Sequence, residues 1–157
     1  MPANSWKLAP GLNNVGSFQV SGRPFISGSC LAPASGSALV IRFPTVTKWF
    51  QIEPHSSMED RELRVAFSEQ GLYGKGSSVA GGGYNYKVHA SSSFKGPNDL
   101  KVSELWFMSE DASNTVTFDI MAGLTNVQIS SLYTADRTIN GVVEASGPNW
   151  SGSIGVG

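Results

Sequence analysis

Between Lys48 and Val127 the chain reads as a series of short alternating runs, KWFQIE, LRVAFS, YNYKVHA, LKVSELWFM and TVTFDIMAGLT, separated by polar, Gly-rich or Ser-rich connections. In most of them, aromatic and β-branched residues alternate with polar ones. Strands that bury one face and wet the other carry this pattern. Strand spacing of about ten residues with long returns is the sequence form of sandwich and jelly-roll topologies. The expected class is therefore all-β: a single jelly-roll-like β-sandwich with an extended N-terminal arm.

The parity of each run assigns an inward set. In ALVIRFP, Leu39, Ile41 and Phe43 point one way and Val40 and Arg42 the other, and Pro44 ends the strand because it cannot donate to a ladder. Leu63, Val65 and Phe67 face in from LRVAFS, Tyr84, Tyr86 and Val88 from YNYKVHA, and Val116, Phe118 and Ile120 from TVTFDIM. LKVSELWFM changes phase between Val102 and Leu105, which predicts either a bulge near Ser103 and Glu104 or a strand buried on both faces.

The 157 residues fit one domain in three regions: an arm at 1–36 with one or two edge strands, a sandwich core at 37–145, and a tail at 146–157. A chain this size can bury roughly 68–70% of its unfolded surface, enough for a core without staples. The arm is rich in Gly, Ser, Pro and Asn, and Trp6 is its natural anchor, filling a pocket in its own domain or in an adjacent subunit. SSMEDREL resembles a capped helical turn with Ser56 or Ser57 as cap. The connection from Gly71 to Gly83 holds six glycines and reads as irregular, either a solvent-exposed tip or a loop ordered by a partner. Thr138 to Val143 sets Asn140-Gly141 between β-branched residues, a strong hairpin signal.

Charge is unevenly distributed. Residues 1–52 contain Lys7, Arg23, Arg42 and Lys48 and no acid; the remainder carries all 12 acids against the other 7 of the 11 bases, about −5. Such a dipolar chain can dock on an acidic surface or pair with a copy of itself, although sparse strand sequences also arrive at this layout. Four dispersed bases are too dilute for the dense basic stripe that binds nucleic acid, so no nucleic-acid partner is expected. Met1 to Pro10 lacks the basic and apolar halves of a signal peptide, and no run approaches the ~20 apolar residues of a membrane span. The expectation is a soluble protein made in the cytoplasm, with no membrane partner. Asn149-Trp150-Ser151 matches a glycosylation pattern that, without a secretion signal, carries no weight.

Chemistry is sparse. Cys30 is the single cysteine, and its setting in PFISGSCLA favours a buried thiol over a nucleophile. Glu53, His55, Glu59 and Asp60 lie close enough in sequence to gather round a divalent ion, but a solvated loop balanced by Arg61 and Arg64 is the far simpler explanation. Glu104, Glu110, Asp111 and Asp119 sit in or beside strands with no sign of a glycosidase cleft. No enzyme, catalytic residue, metal or cofactor is predicted. Trp49, Tyr73, Tyr84, Tyr86 and Trp106 are residue types that stack on sugar rings, which keeps a lectin-like, carbohydrate-binding module in view, although parity assigns most of them to the core.

The segments APGLNNVGSFQVSGRPF, WFQIEPHSSMEDRELRVAFSEQG and VSELWFMSEDASNTVTFDIMAGLTNV together resemble small jelly-roll virion proteins of marine tailed phages and related double-stranded DNA viruses. The resemblance implies a capsid component on the virion surface: a decoration or cement protein, or a minor capsid protein, bound to the major capsid protein shell. It further implies a homo-oligomer, a trimer being favoured because jelly rolls often pack round three-fold axes in capsids. On this reading the partner contacts are Trp6, Lys7, Arg23, Phe25 and Trp150, with Tyr73 and Lys75 at the tip of the glycine loop. Host glycan is a further partner that a virion surface protein can touch.

Overall fold

A computed structural model describes residues 22–55, 61–73, 85–90 and 96–129, together with the backbone of 138–139 and 142–143. The elements in chain order are β1 (Arg23–Ala32), β2 (Leu39–Arg42), β3 (Thr47–Pro54), β4 (Glu62–Ala66), helix α1 (Glu69–Leu72), β5 (Asn85–His89), β6 (Glu104–Ser109), β7 (Val116–Leu124), β8 (Thr138–Ile139) and β9 (Val142–Val143). The protein is an all-β sandwich of two antiparallel sheets, one of three strands in the order β1-β7-β3 and one of four in the order β2-β6-β4-β5. The pairings nest: β1 lies against β7, β2 against β6 and β4 against β5, while Phe50 of β3 bridges to Asn98 between β5 and β6.

The alternation of the sequence becomes the filling of the sandwich. Val116, Phe118, Ile120 and Ala122 of β7 meet Leu63 and Val65 of β4 and Leu105 and Phe107 of β6 in one buried cluster. Phe107 and Phe118 stack across the gap with centroids 4.5 Å apart. Leu39, Ile41, Phe67, Tyr86 and Val88 pack on the flanks of the same cluster. Each large side chain taken wholly out of water contributes about 1.5–3 kcal/mol, which makes this layer the main stabiliser of the fold.

At the passage from β2 to β3, one of those where the chain changes sheets, hydroxyl groups hold it. Buried Thr47 donates from Oγ1 to the Leu100 carbonyl at 2.8 Å and accepts from the Val102 amide at 3.0 Å. Thr125, also buried, donates to the Val46 carbonyl at 2.7 Å. Backbone that leaves a ladder in the interior needs such partners, because an unpaired buried carbonyl or amide costs about as much as a lost hydrogen bond.

One expectation changes and one alternative is resolved. The irregular connection begins later than Gly71, because Glu69–Leu72 form α1, capped by Ser68, whose Oγ accepts from the Gly71 amide at 3.0 Å. Leu72 is fully buried and packs with Ala66 and Met108 on the outer side of the four-stranded sheet. That second layer accounts for the phase change in LKVSELWFM: Leu105 and Phe107 face the main core and Met108 faces α1, and the β6 ladders run without a bulge. Val102 reaches the core from the loop before the strand, and Leu100 is exposed. Asn140-Gly141 join β8 to β9, with Thr138 paired to Val143 and Ile139 to Val142. The SSMEDREL cap lies outside the described residues.

Candidate interaction surface

The two sheets present different outer faces. On the four-stranded sheet, charge is paired off. Arg64 on β4 donates from Nε to Glu110 Oε2 at 2.7 Å and from Nη2 to the same oxygen, and its Nη1 donates to the Leu72 carbonyl at 3.1 Å. Lys87 on β5 bridges Glu62 at 3.0 Å and Glu110 at 3.3 Å. Desolvation alone would raise the Glu110 pKa, but the hydrogen bond and charge of Arg64, with those of Lys87, outweigh it and hold the carboxyl below its ordinary range. The hydrogen bonds of Glu62 and Glu110 raise Lys87 in turn. Glu104, nearly buried, receives Arg42 Nε at 3.2 Å and Trp106 Nε1 at 3.0 Å, so both carboxylate oxygens are engaged.

The outer face of the three-stranded sheet is open and partly apolar. The register places Pro24 and Trp49 on either side of Gly123, Ile26 and Gln51 on either side of Met121, and Glu53 beside Asp119. Ile26 is 70% exposed and Met121 40% exposed, side by side on neighbouring strands; Leu31, further along β1, is 56% exposed. Isolated exposed apolar residues are ordinary; adjacent ones on an open sheet face are a recognised mark of contact surfaces. Among the described residues β1 is moreover an edge strand with one partner, β7.

At the end of this apolar row sits one carboxylate with two partners. The Ser29 amide donates to Asp119 Oδ1 at 2.7 Å, and His55 Nε2 lies 3.0 Å from the same oxygen. Asp119 is on the central strand β7, Ser29 on β1, and His55 just beyond the end of β3. The Ser29 bond first, and the His55 bond after it, hold the Asp119 carboxyl below the usual aspartate range. The β1–β7 register breaks between Ser27 and Cys30, and Ser29 has φ of 55°, the left-handed region that side chains disfavour. His55 and Asp119 each drew attention in the sequence, for other chemistry. What brings them together is the β3–β7 register, and the hint for Ser29 was a glycine, Gly28, inside a strand pattern, which often marks a bulge.

The structure separates the expected contact residues. Arg23 is exposed at the start of β1. Phe25 is half-buried, its ring edge-on to Phe43 with centroids 5.0 Å apart, so it serves the sandwich. Tyr73 is half-buried directly after α1 and packs beside the Ala66–Leu72–Met108 cluster. Trp6, Lys7, Lys75 and Trp150 lie outside the described residues. Of the aromatics considered for sugar stacking, Tyr86 packs against the core, Trp106 packs on the α1 cluster, Trp49 is half-buried on the open face, and Tyr84 is outside the described residues. The Tyr86 hydroxyl is buried with no hydrogen-bond partner among the described residues, and burial pushes its pKa well above the ordinary tyrosine range. Cys30 is half-buried, its thiol 3.2 Å from Ser27 Oγ. Among the described residues no group of three or more His, Cys, Asp or Glu is placed to hold a metal ion; Glu59 and Asp60 lie outside them.

The chain matches no family model and no curated protein.

Proposed function

We propose that this protein is a viral structural protein, a capsid decoration, cement or minor capsid protein that binds the major capsid shell and stabilises it. The observation that carries the reading is the open outer face of the β1-β7-β3 sheet, where Ile26 on β1, an edge strand among the described residues, and Met121 beside it stand exposed while the opposite sheet is closed by ion pairs and α1. A protein that lies on a lattice needs one such face and a finished opposite one. The nested strand pairing, with Asn98 bridging to β3 where a further strand would run, supports a jelly-roll winding.

On this reading the protein is a homo-oligomer, a trimer in the favoured form, and the part of the 1–36 arm that precedes β1 reaches a neighbouring subunit, since β1 itself belongs to the sandwich. The test is the solution mass by light scattering, followed by electron microscopy of the protein mixed with isolated capsid shells. Regular decoration of the shells, lost on deletion of residues 1–16 while the sandwich stays folded, is the expected outcome. Undiminished binding of the truncated protein rejects the arm, and absence of decoration rejects the capsid reading.

One observation favours a second reading. Trp49 stands on the open face opposite Gly123, where an indole flanked by a residue without a side chain leaves room for a flat ligand such as a sugar ring. A glycan array decides it: saturable binding abolished by Trp49→Ala supports a carbohydrate-binding module.

A further inference from the structure

β1 is ten residues long and, among the described residues, lies at a sheet edge with β7 as its one strand partner. Its ladder is broken between Ser27 and Cys30, at the point where Ser29 adopts its left-handed conformation. A serine stays there only when its surroundings insist on it. The visible constraint is Asp119, whose Oδ1 takes the Ser29 amide from one edge strand and faces His55 Nε2 from beyond the other. A Cβ added at Gly28 would stand 3.5 Å from the same oxygen, so the bulge folds closely round the carboxylate.

We propose that Asp119 is a proton-operated latch that holds edge strand β1 in its bulged, docked form, and that acid frees the Gly28–Ala32 half of the strand while the sandwich stays folded. An ionised carboxylate makes hydrogen bonds roughly twice as strong as a neutral one, so protonation weakens both bonds that meet at Oδ1. The ionisable groups facing it come from β3 and its end: His55, and Glu53, its register partner, whose Oε1 is engaged by Gln51 Nε2 at 2.6 Å. The β1 residues sharing this outer face, Pro24, Ile26, Gly28 and Ser29, contribute no ionisable side chain. The sign follows from the Ser29 bond, which keeps the folded carboxyl below its unfolded value. The latch is closed above the ordinary aspartate range, about 3.9, and opens as pH falls through the lower folded value.

Cys30 reports the opening, since it is the single cysteine and sits directly after the bulge. The measurement is its reaction rate with 4,4′-dithiodipyridine in the full chain, normalised at each pH to the urea-unfolded protein, with near-UV circular dichroism recorded alongside. Between about pH 5 and about pH 3 the wild-type rate should rise, by up to about eightfold, with the dichroism unchanged. Asp119→Asn, which keeps an acceptor oxygen and loses the charge, should react faster at pH 5 and show no step. Ser29→Gly, which keeps the amide and relieves the backbone, should move the step to lower pH, and it carries the comparison if Asp119→Asn does not fold. A wild-type rate that stays flat to about pH 3 overturns the proposal. So does a wild-type step retained in Asp119→Asn, or exposure that rises only in step with loss of the dichroism, because the whole sandwich is then opening.

Discussion

The two sheets share one core and differ in what lies behind them. The four-stranded sheet is closed on its outer side, where α1 lays Leu72 over Ala66 and Met108, and Arg64, Lys87, Glu62 and Glu110 neutralise one another. The three-stranded sheet carries no such second layer among the described residues and leaves Ile26 and Met121 in solvent. The difference separates stability from contact. Groups behind the first sheet are held by the fold's own chemistry, whereas those behind the second are free to serve a partner.

Substitutions on the two faces should therefore part company, and the largest effect belongs to the closed one. Leu72→Ala removes a wholly buried side chain and should cost about 2–5 kcal/mol in urea unfolding; a cost under about 1 kcal/mol would mean that α1 does not cover the sheet. Arg64→Met should cost about 1–3 kcal/mol, since it leaves Glu110 with Lys87 alone and the Leu72 carbonyl with only the long contact from Asn85 Nδ2. The same pair gives a pH signature. With the folded Glu110 carboxyl held low, its contribution is complete above the ordinary glutamate range and fades as pH falls through the folded value. The acid limb of the wild-type stability profile should accordingly be shallower in Arg64→Met, and an identical limb would remove Arg64 as its source.

On the open face the effects shrink and change sign. Ser29→Gly should raise stability by about 0.5–1 kcal/mol by relieving the left-handed serine while keeping its amide for Asp119; destabilisation would mean that the serine side chain matters more than its backbone. Ile26→Lys should leave the midpoint of unfolding within about 0.5 kcal/mol of wild type and yet weaken shell decoration. Were it to unfold the protein instead, the contrast between the two faces would fail.

How much of this was legible in the sequence depended on range. Val116, Phe118 and Ile120 declared themselves by strict alternation, because a sheet with one wet face makes inward and outward positions chemically distinct. Asn140-Gly141 was equally plain, since the turn's demand for positive φ is local. Ala66, Met108 and Leu72 were not, because their burial depends on a single helical turn containing a glycine; the Ser68 cap with Glu69 beside it was the signal present. The meeting of Ser29, His55 and Asp119 was beyond reach, because it needs the register of two ladders and the position of a bulge, neither of which composition encodes. Trp6, Lys7, Lys75 and Trp150 lie outside the described residues, so the arm and the glycine loop rest on sequence alone.

The nesting of the strands also sets an order of events during synthesis. Arg23 pairs with Leu124 and Ala32 with Val116, so the first strand waits for nearly the last one of the sandwich. Contacts this distant must wait for loop closure and slow folding, and on a ribosome adding about 5–20 residues each second β1 stays without its partner for several seconds. Throughout that interval a strand bearing Ile26 and Leu31 lacks both β7 and the Asp119 that holds its kink, and is open to whatever meets it first.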